Sequence, residues 1–386
     1  MTSGSGSPSV DDGAVHTVRE IAQQPRLWRE VDRLVAASRE SLDAFLHPLT
    51  ARGDLRVVLT GAGTSAFAGQ VLQSALARRL GLRVDAVSTT DLVADPRGCL
   101  AEDVPTLLVS FARSGDSPES VAATDLADQV LSEVHHLVIT CNAAGDLARK
   151  HTERPASRVL LMPAESNDRG FAMTSSFTCM ALAALLVLGG GAHDGIAERL
   201  ARAAESIMAD GGGADAIAGL VDRAPERIVY LGSGALKGLA QESALKVLEL
   251  TGGAVVAGSE SSLGFRHGPK AVLNERTAVV VYLSNDPYTR RYDQDIVAEL
   301  RGNLPAGSVV TVTAVSGAEP AACGADTWTV PGLDGVEDVV LALAAVVYAQ
   351  LIALRTSLAR GIRPDEPFPS GEVNRVVRGV VLHPLT

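Results

Sequence analysis

Three ionisable side chains in one short stretch of this sequence are spaced for chemistry: Glu242, Lys246 and Glu249. They stand at i, i+4 and i+7, so a helix presents all three on one face. The segment around them, from about Ala235 to Leu250, reads as a helix rich in Leu, Ala and Val, stopped by Gly252-Gly253. On an ordinary solvated helix the triplet is a surface ion pair worth a few tenths of a kcal/mol. Here the apolar surroundings, and Phe265-Arg266-His267-Gly268-Pro269 soon after, favour another reading. A buried carboxylate beside a lysine and a histidine is an acid–base constellation.

A second group of residues suits an anion. An apolar run ending at Phe111 leads into Ala112-Arg113-Ser114-Gly115-Asp116-Ser117-Pro118-Glu119-Ser120. Glycine and small hydroxyl residues at the mouth of a helix leave amides and hydroxyls to surround a phosphate, and Arg113 adds charge. The same letters also spell a plain helix start, with Ser117 as N-cap and Pro118 at N1. A second turn, Gly61-Ala62-Gly63-Thr64-Ser65-Ala66, can bring Thr64 and Ser65 to the same site. That turn also meets the loose dinucleotide fingerprint, with Asp85 about 20 residues on. Against a nucleotide, Asp85 lies inside its strand pattern and is followed by Ala86-Val87.

The elements that must position these groups follow an alternating scheme. Residues 14 to 49 read as helical, broken at Gln24-Pro25. Short apolar runs then alternate with helical stretches: Arg56 to Thr60, Arg83 to Val87, Thr106 to Phe111, His136 to Thr140 and Arg158 to Met162. This is the pattern of an α/β fold with a parallel sheet covered on both faces. The composition loosens at Asp210 to Gly213, where a domain boundary is expected, and then the scheme restarts. RVVLTGAG at 56–63 resembles RIVYLGSG at 227–234, and at the same offset of 171 residues TLLVSF at 106–111 aligns with TAVVVY at 277–282. Two strands in register, each with its own turn, argue for a duplicated unit. What the copies share is scaffold; what differs is function. Only the first copy has the Arg113 to Ser117 loop, since the second carries Ser284-Asn285-Asp286-Pro287 there, and only the second has the Glu242/Lys246/Glu249 helix.

The 386 residues are enough for two domains, and a net charge of −11 argues against a nucleic-acid surface or adhesion to an acidic membrane. Cys99, Cys141, Cys179 and Cys323 are scattered without metal-ligand spacing, which fits reduced thiols in the cytoplasm and no zinc site. Residues 1–13 read as a flexible tail without signal-peptide character. The apolar runs Met180 to Leu188 and Val339 to Leu354 fall short of the ~18 residues expected of a membrane span and suggest core or interface helices.

With these residues in place, the chain resembles the sugar isomerase (SIS) family in its tandem form. Within it the chain is most similar to the galactosamine-6-phosphate deaminase/isomerases, and more distantly to the isomerase half of glutamine–fructose-6-phosphate aminotransferase. The motifs cover nearly the whole chain: Glu20-Ile-Ala-Gln-Gln-Pro25, GAGTS at 61–65, SFARSGDSPES at 110–120, Cys141-Asn142, Gly170 to Thr178, ESALKVLEL at 242–250, RHGP at 266–269 and PSGEVNRVV at 369–377. The resemblance implies two tandem SIS domains, at 50–213 and 214–386, each a parallel-sheet αβα sandwich of flavodoxin-like or Rossmann-like kind, preceded by the helical segment 14–49. It also implies that Ser65, Arg113, Ser114 and Ser117 hold a sugar phosphate with Thr174 nearby. Glu249 then transfers the proton, and His267 opens the sugar ring from a neighbouring subunit. Glu242, Lys246 and Thr64 are expected at the substrate site. Arg378 stands where the aminotransferases carry a lysine; an arginine keeps the charge but forms no Schiff base, so no lysine role is carried over.

The expected activity is conversion of a 2-amino-2-deoxy-hexose 6-phosphate, galactosamine 6-phosphate favoured, to ketose 6-phosphate and ammonia without a cofactor. No ammonia-producing domain precedes residue 50, which favours releasing ammonia over installing it. Simple aldose–ketose isomerisation and a non-catalytic sugar-phosphate sensor are the alternatives. The expected assembly is a homodimer, or a multiple of it, with sites shared between subunits.

Overall fold

The computed structural model describes residues 13–190, 195–209, 214–315, 326–377 and 379–386. The tail expected before residue 13 and the boundary expected at Asp210 to Gly213 lie outside these residues. Three helices open the chain: α1 (Val15–Ala22), α2 (Gln24–Ala37) and α3 (Arg39–Thr50). The first break falls at Gln23, and Pro25 sits in the first turn of α2, where its missing N–H costs nothing.

The first α/β unit is β1 (Arg56–Thr60), α4 (Thr64–Leu80), β2 (Arg83–Ala86), α5 (Thr89–Ala94), α6 (Pro96–Cys99), β3 (Thr106–Ala112), α7 (Pro118–Val130), β4 (Val134–Thr140), α8 (Asp146–His151) and β5 (Ser157–Leu161). Its five strands are parallel, in the order β2-β1-β3-β4-β5. Helices α9 (Ser175–Leu188), α10 (Ile196–Met208) and α11 (Ala214–Asp222) lead into the second unit. That unit is β6 (Arg227–Leu231), α12 (Ala235–Leu250), β7 (Val256–Glu260), β8 (Thr277–Tyr282), α13 (Pro287–Asn303), β9 (Val309–Thr313) and β10 (Thr327–Thr329), closed by α14 (Asp338–Ala359). Its strands are also parallel and repeat the first order, as β7-β6-β8-β9-β10. Both sheets thus have the flavodoxin-like order, with a topological switch between the first and third strands of each unit.

The duplication extends to the backbone of the turns. Gly63 has φ 55° and ψ −126°, and Gly234 has φ 58° and ψ −126°, a region closed to residues with a Cβ. The helices that follow these turns, α4 and α12, lie against each other between the two sheets. At their crossing a Cβ on Gly238 would come within 2.7 Å of Val71 N, so only glycine permits the approach. The main core is therefore continuous through both units, from Val57 and Leu59 through Leu72, Leu239 and Val247 to Ala344 and Val346.

The last helix corrects an expectation. Helix α14, 22 residues long, is apolar and long enough to cross a membrane, but its apolar surface is covered within this chain. Ala344, Ala345, Val346 and Val347 are fully buried, so α14 is a core helix and not an uncovered interface. Trp28, Val31 and Val35 of α2 are likewise buried in the same core.

Candidate active site

The carboxyl ends of β1 and β3 open at the switch point of the first sheet, and the two turns expected to bind an anion meet there. Ser65, Arg113, Ser114 and Ser117 line one cleft of about 110 Å³, together with Met173 and the C-terminal residues Arg375 to Val377. Ser117 occupies the N-cap position of α7 but does not cap it; its hydroxyl pairs with Ser120 Oγ at 2.6 Å. Asn142 Nδ2 donates to Ser114 O at 2.8 Å and fixes the turn from below. Arg113 is buried, and among the described residues it bonds to carbonyls alone, Phe171 O at 3.4 Å and Arg375 O at 2.7 Å. Burial, then the neighbouring Arg375, pulls its pKa below the usual guanidinium value.

Helix α12 delivers the acid–base triplet from the other unit. Lys246 is fully buried and donates to Glu249 Oε2 at 2.5 Å and to Thr64 Oγ1 at 2.9 Å. That second bond joins α12 to the first-unit turn, and the Glu249 carboxylate acts on the Arg113 charge from across the interface between the units. Glu249 keeps 24 % side-chain exposure, whereas Lys246 beside it has none. Glu242 is fully buried and faces Lys246 Nζ at 3.4 Å. Burial raises its pKa to about 7, with Glu249 adding to the shift and Lys246 opposing it. Burial works against the Lys246 charge, yet Glu242 and Glu249 together raise its pKa, and the lysine stays an ammonium. The result is a carboxylate oriented by a fixed cation at the edge of an anion site, suited to moving a proton next to a phosphorylated substrate.

The equivalent place in the second unit has lost this character. Asp286 caps α13 through Tyr288 N at 3.0 Å and Thr289 N at 2.8 Å, and Asp338 accepts from Ser284 Oγ and Asn285 N. The loop amides that would hold an anion are thus already satisfied. Arg78 of α4 lines this cleft beside Gly234 and Asp286, at the repeat position of Glu249. The two clefts are reciprocal, and the second has an arginine at the position that repeats Glu249.

Several expected groups lie elsewhere. Thr174 is buried against Asp168, its N–H donating to Oδ2 at 2.8 Å and its hydroxyl to Oδ1 at 3.5 Å, and Met173 lines the cleft in its place. Arg378 lies outside the described residues. Asp85 is held by Arg56 at 2.6 Å and Arg83 at 2.9 Å, which removes the carboxylate a ribose would need. His267 is exposed on a loop whose Phe265 is buried in the core beneath α13, with Arg266 bonded to Glu299 at 2.7 Å. Side chains alternate along β6, with Ile228 and Tyr230 facing the α12 core and Val229 and Leu231 the α13 core. His267 therefore stands across the second sheet from Glu249, and the single chain does not bring them together. Among the described residues no group of three or more His, Cys, Asp or Glu is placed to hold a metal ion.

The sequence reading missed the support behind the cleft. Glu20 accepts from Arg169 N at 2.5 Å and Gly170 N at 3.1 Å, and Asp168 accepts from Ser176 N at 2.8 Å. Burial and the nearby Asp168 raise the Glu20 pKa to about 7, although the two amides oppose the shift. Arg375 donates through Nη1 to Asp168 O, closing the chain of contacts onto Arg113. The signal was present as three motifs, at Glu20 to Pro25, Gly170 to Thr178 and 369–377, which the fold brings to one place.

The comparisons with known proteins agree with this architecture. The SIS domain profile matches residues 52–188 and 223–359. A Streptomyces coelicolor protein provisionally named D-galactosamine-6-phosphate deaminase AgaS is 79% identical over 100% of both chains. An Escherichia coli D-galactosamine-6-phosphate deaminase AgaS is 46% identical over 98% of each chain. The crystal structure of tagatose-6-phosphate ketose/aldose isomerase from Escherichia coli superposes with a TM-score of 0.87 at 42% identity, covering 99% of both chains. The duplicated sheets, the paired glycine turns and the two matched segments have one explanation: this chain belongs to the SIS domain family, with two such domains in tandem.

Proposed function

We propose that this protein is an amino-sugar-phosphate deaminase/isomerase that converts galactosamine 6-phosphate to tagatose 6-phosphate and ammonia. The observation that supports the reading is the Lys246 bridge, which ties Glu249 to Thr64, the neighbour of the cleft-lining Ser65. The phosphate sits among Arg113, Ser114 and Ser117, with Ser65 at its edge. Glu249 takes the C2 proton of the open-chain amino aldose and returns it at C1, giving a 2-imino ketose. Water then adds at C2 and ammonia leaves. Lys246 holds Glu249 in place and lends positive charge where the enediol-like oxygen develops. The name and 46% identity of the Escherichia coli deaminase support the galacto substrate.

His267 acts from a second copy of the chain in this reading, so the working form is a homodimer or a multiple of it. Its exposure, on the far side of the second sheet from its own Glu249, supports that assignment. The protein works in the cytoplasm, in keeping with the free thiols of Cys99, Cys141 and Cys179.

Aldose–ketose isomerisation without deamination is the second reading, favoured by the name of the Escherichia coli structure. A panel of hexose and hexosamine 6-phosphates assayed for both ammonia and ketose separates the two. Galactosamine 6-phosphate should yield ammonia and ketose in equal amounts. Ketose from a neutral hexose 6-phosphate, with no ammonia from any hexosamine, would overturn the deaminase assignment.

A further inference from the structure

We propose that Arg375 is a second cation of the phosphate site, carried there by the C-terminal segment and reading the anion together with Arg113. The proposal rests on the reading of this cleft as the sugar-phosphate site and adds a residue to it.

Arg375 lines the same cleft as Ser65, Arg113, Ser114 and Ser117. Its backbone oxygen accepts from Arg113 Nη2 at 2.7 Å, so the two arginines are locked side by side. Among the described residues neither guanidinium bonds to a carboxylate: Arg113 donates to Phe171 O and Arg375 O, and Arg375 donates to Asp168 O. The nearby Asp168 carboxylate is already taken by Thr174, Ser175 and Ser176. Nε and Nη2 of Arg375 make no hydrogen bond among the described residues. Two like charges thus lie near each other beside a ring of serine hydroxyls, with the Asp168 and Glu249 carboxylates acting on Arg113 from a distance and neither bonded to it among the described residues. A phosphate dianion is the ligand that offsets two arginines, and a guanidinium fork can meet two of its oxygens at once.

The segment 375–377 forms one wall of the cleft, so the site is complete only when this stretch lies against the first unit. Bound phosphate and docked segment should therefore favour each other. A substrate without its phosphate would leave Arg375 with only its contact to Asp168 O.

The test is Arg375→Met with Arg375→Lys beside it, read by steady-state kinetics and by inhibition with inorganic phosphate. Arg375→Met keeps the backbone oxygen that Arg113 needs and removes the charge. The expected result is a rise of about 10- to 100-fold in both KM and the phosphate inhibition constant, the scale of lost charge-assisted hydrogen bonds, with kcat within a few-fold. Arg375→Lys should recover part of the loss, because it restores charge without the fork. A purely structural arginine would lower kcat and thermal stability without that split, and such a result overturns the proposal. So does unchanged phosphate inhibition in Arg375→Met. The Ser114→Ala/Ser117→Ala double variant is the control. If it weakens phosphate inhibition and Arg375→Met does not, only the role of Arg375 fails. If neither weakens it, the anion site itself lies elsewhere.

Discussion

Lys246 Nζ lies 2.9 Å from Thr64 Oγ1, and the two residues belong to different halves of a duplicated chain. The helix that bears the proposed base is thereby fastened to the turn that borders the proposed anion site. Neither half holds both parts of the chemistry, and the contact between α4 and α12 assembles them.

Replacing the base tests the assignment most directly. Glu249→Gln keeps the shape and the bond from Lys246 but cannot accept a proton. Turnover should fall by at least ~10², with substrate binding little changed. Activity within a few-fold of the parent would remove Glu249 from the mechanism.

The buried ion pair behind it should show in stability. Lys246→Met leaves the fully buried Glu242 without its cation, which should cost on the order of 3 kcal/mol in urea unfolding. Adding Glu242→Leu should return most of that stability while activity stays low. If the double variant is no more stable than Lys246→Met, the two residues are not coupled as their geometry implies.

Subunit mixing tests the shared site. Glu249→Gln and His267→Ala chains, each inactive alone, should regain part of the activity when subunits exchange, because some sites would combine both intact residues. Mixed oligomers that regain nothing would place His267 in its own chain's chemistry or outside catalysis.

Acid sensitivity should trace in part to a buried histidine far from the cleft. His151 packs 4.6 Å from the His136 ring and accepts or donates to Ser157 Oγ at 2.9 Å. Burial, then the neighbouring His136, lowers its pKa from 6.5 to about 3. Between these values the unfolded chain binds a proton that the folded chain does not. Stability is therefore full above pH 6.5 and is lost as the pH falls toward 3. His151→Asn should flatten the stability-against-pH curve in that window; an unchanged slope would show that His151 is not the group responsible.

Much of this arrangement was legible in the sequence because its signals are local or repeated. The spacing of Glu242, Lys246 and Glu249 fixes their shared helix face, and the glycine turns at 61–63 and 232–234 mark equivalent positions in both units. Strand β7 was not legible. Its sequence Val-Ala-Gly-Ser-Glu has no apolar run, and it is a strand because β6 pairs with it along its length. The contact of Glu20 with Gly170 and that of Arg375 with Arg113 were hidden for a related reason. Each joins residues more than a hundred positions apart, and nothing local to either partner announces the other. The reading of Val339 to Leu354 as too short for a membrane span missed the full 22 residues of α14, whose apolar surface is covered by its own chain.

The reciprocal crossing of α4 and α12 also bears on how such a chain can change over generations. Were the two units separate copies encoded by one gene, any substitution in the crossing helix would strike both clefts at once. Joined in one chain, they mutate independently. One cleft could keep Glu249 and its lysine while the other exchanged the matching position for Arg78 and sealed its loop with Asp286 and Asp338. The second cleft still packs the helix that carries Glu249, so substitutions there are bounded by packing.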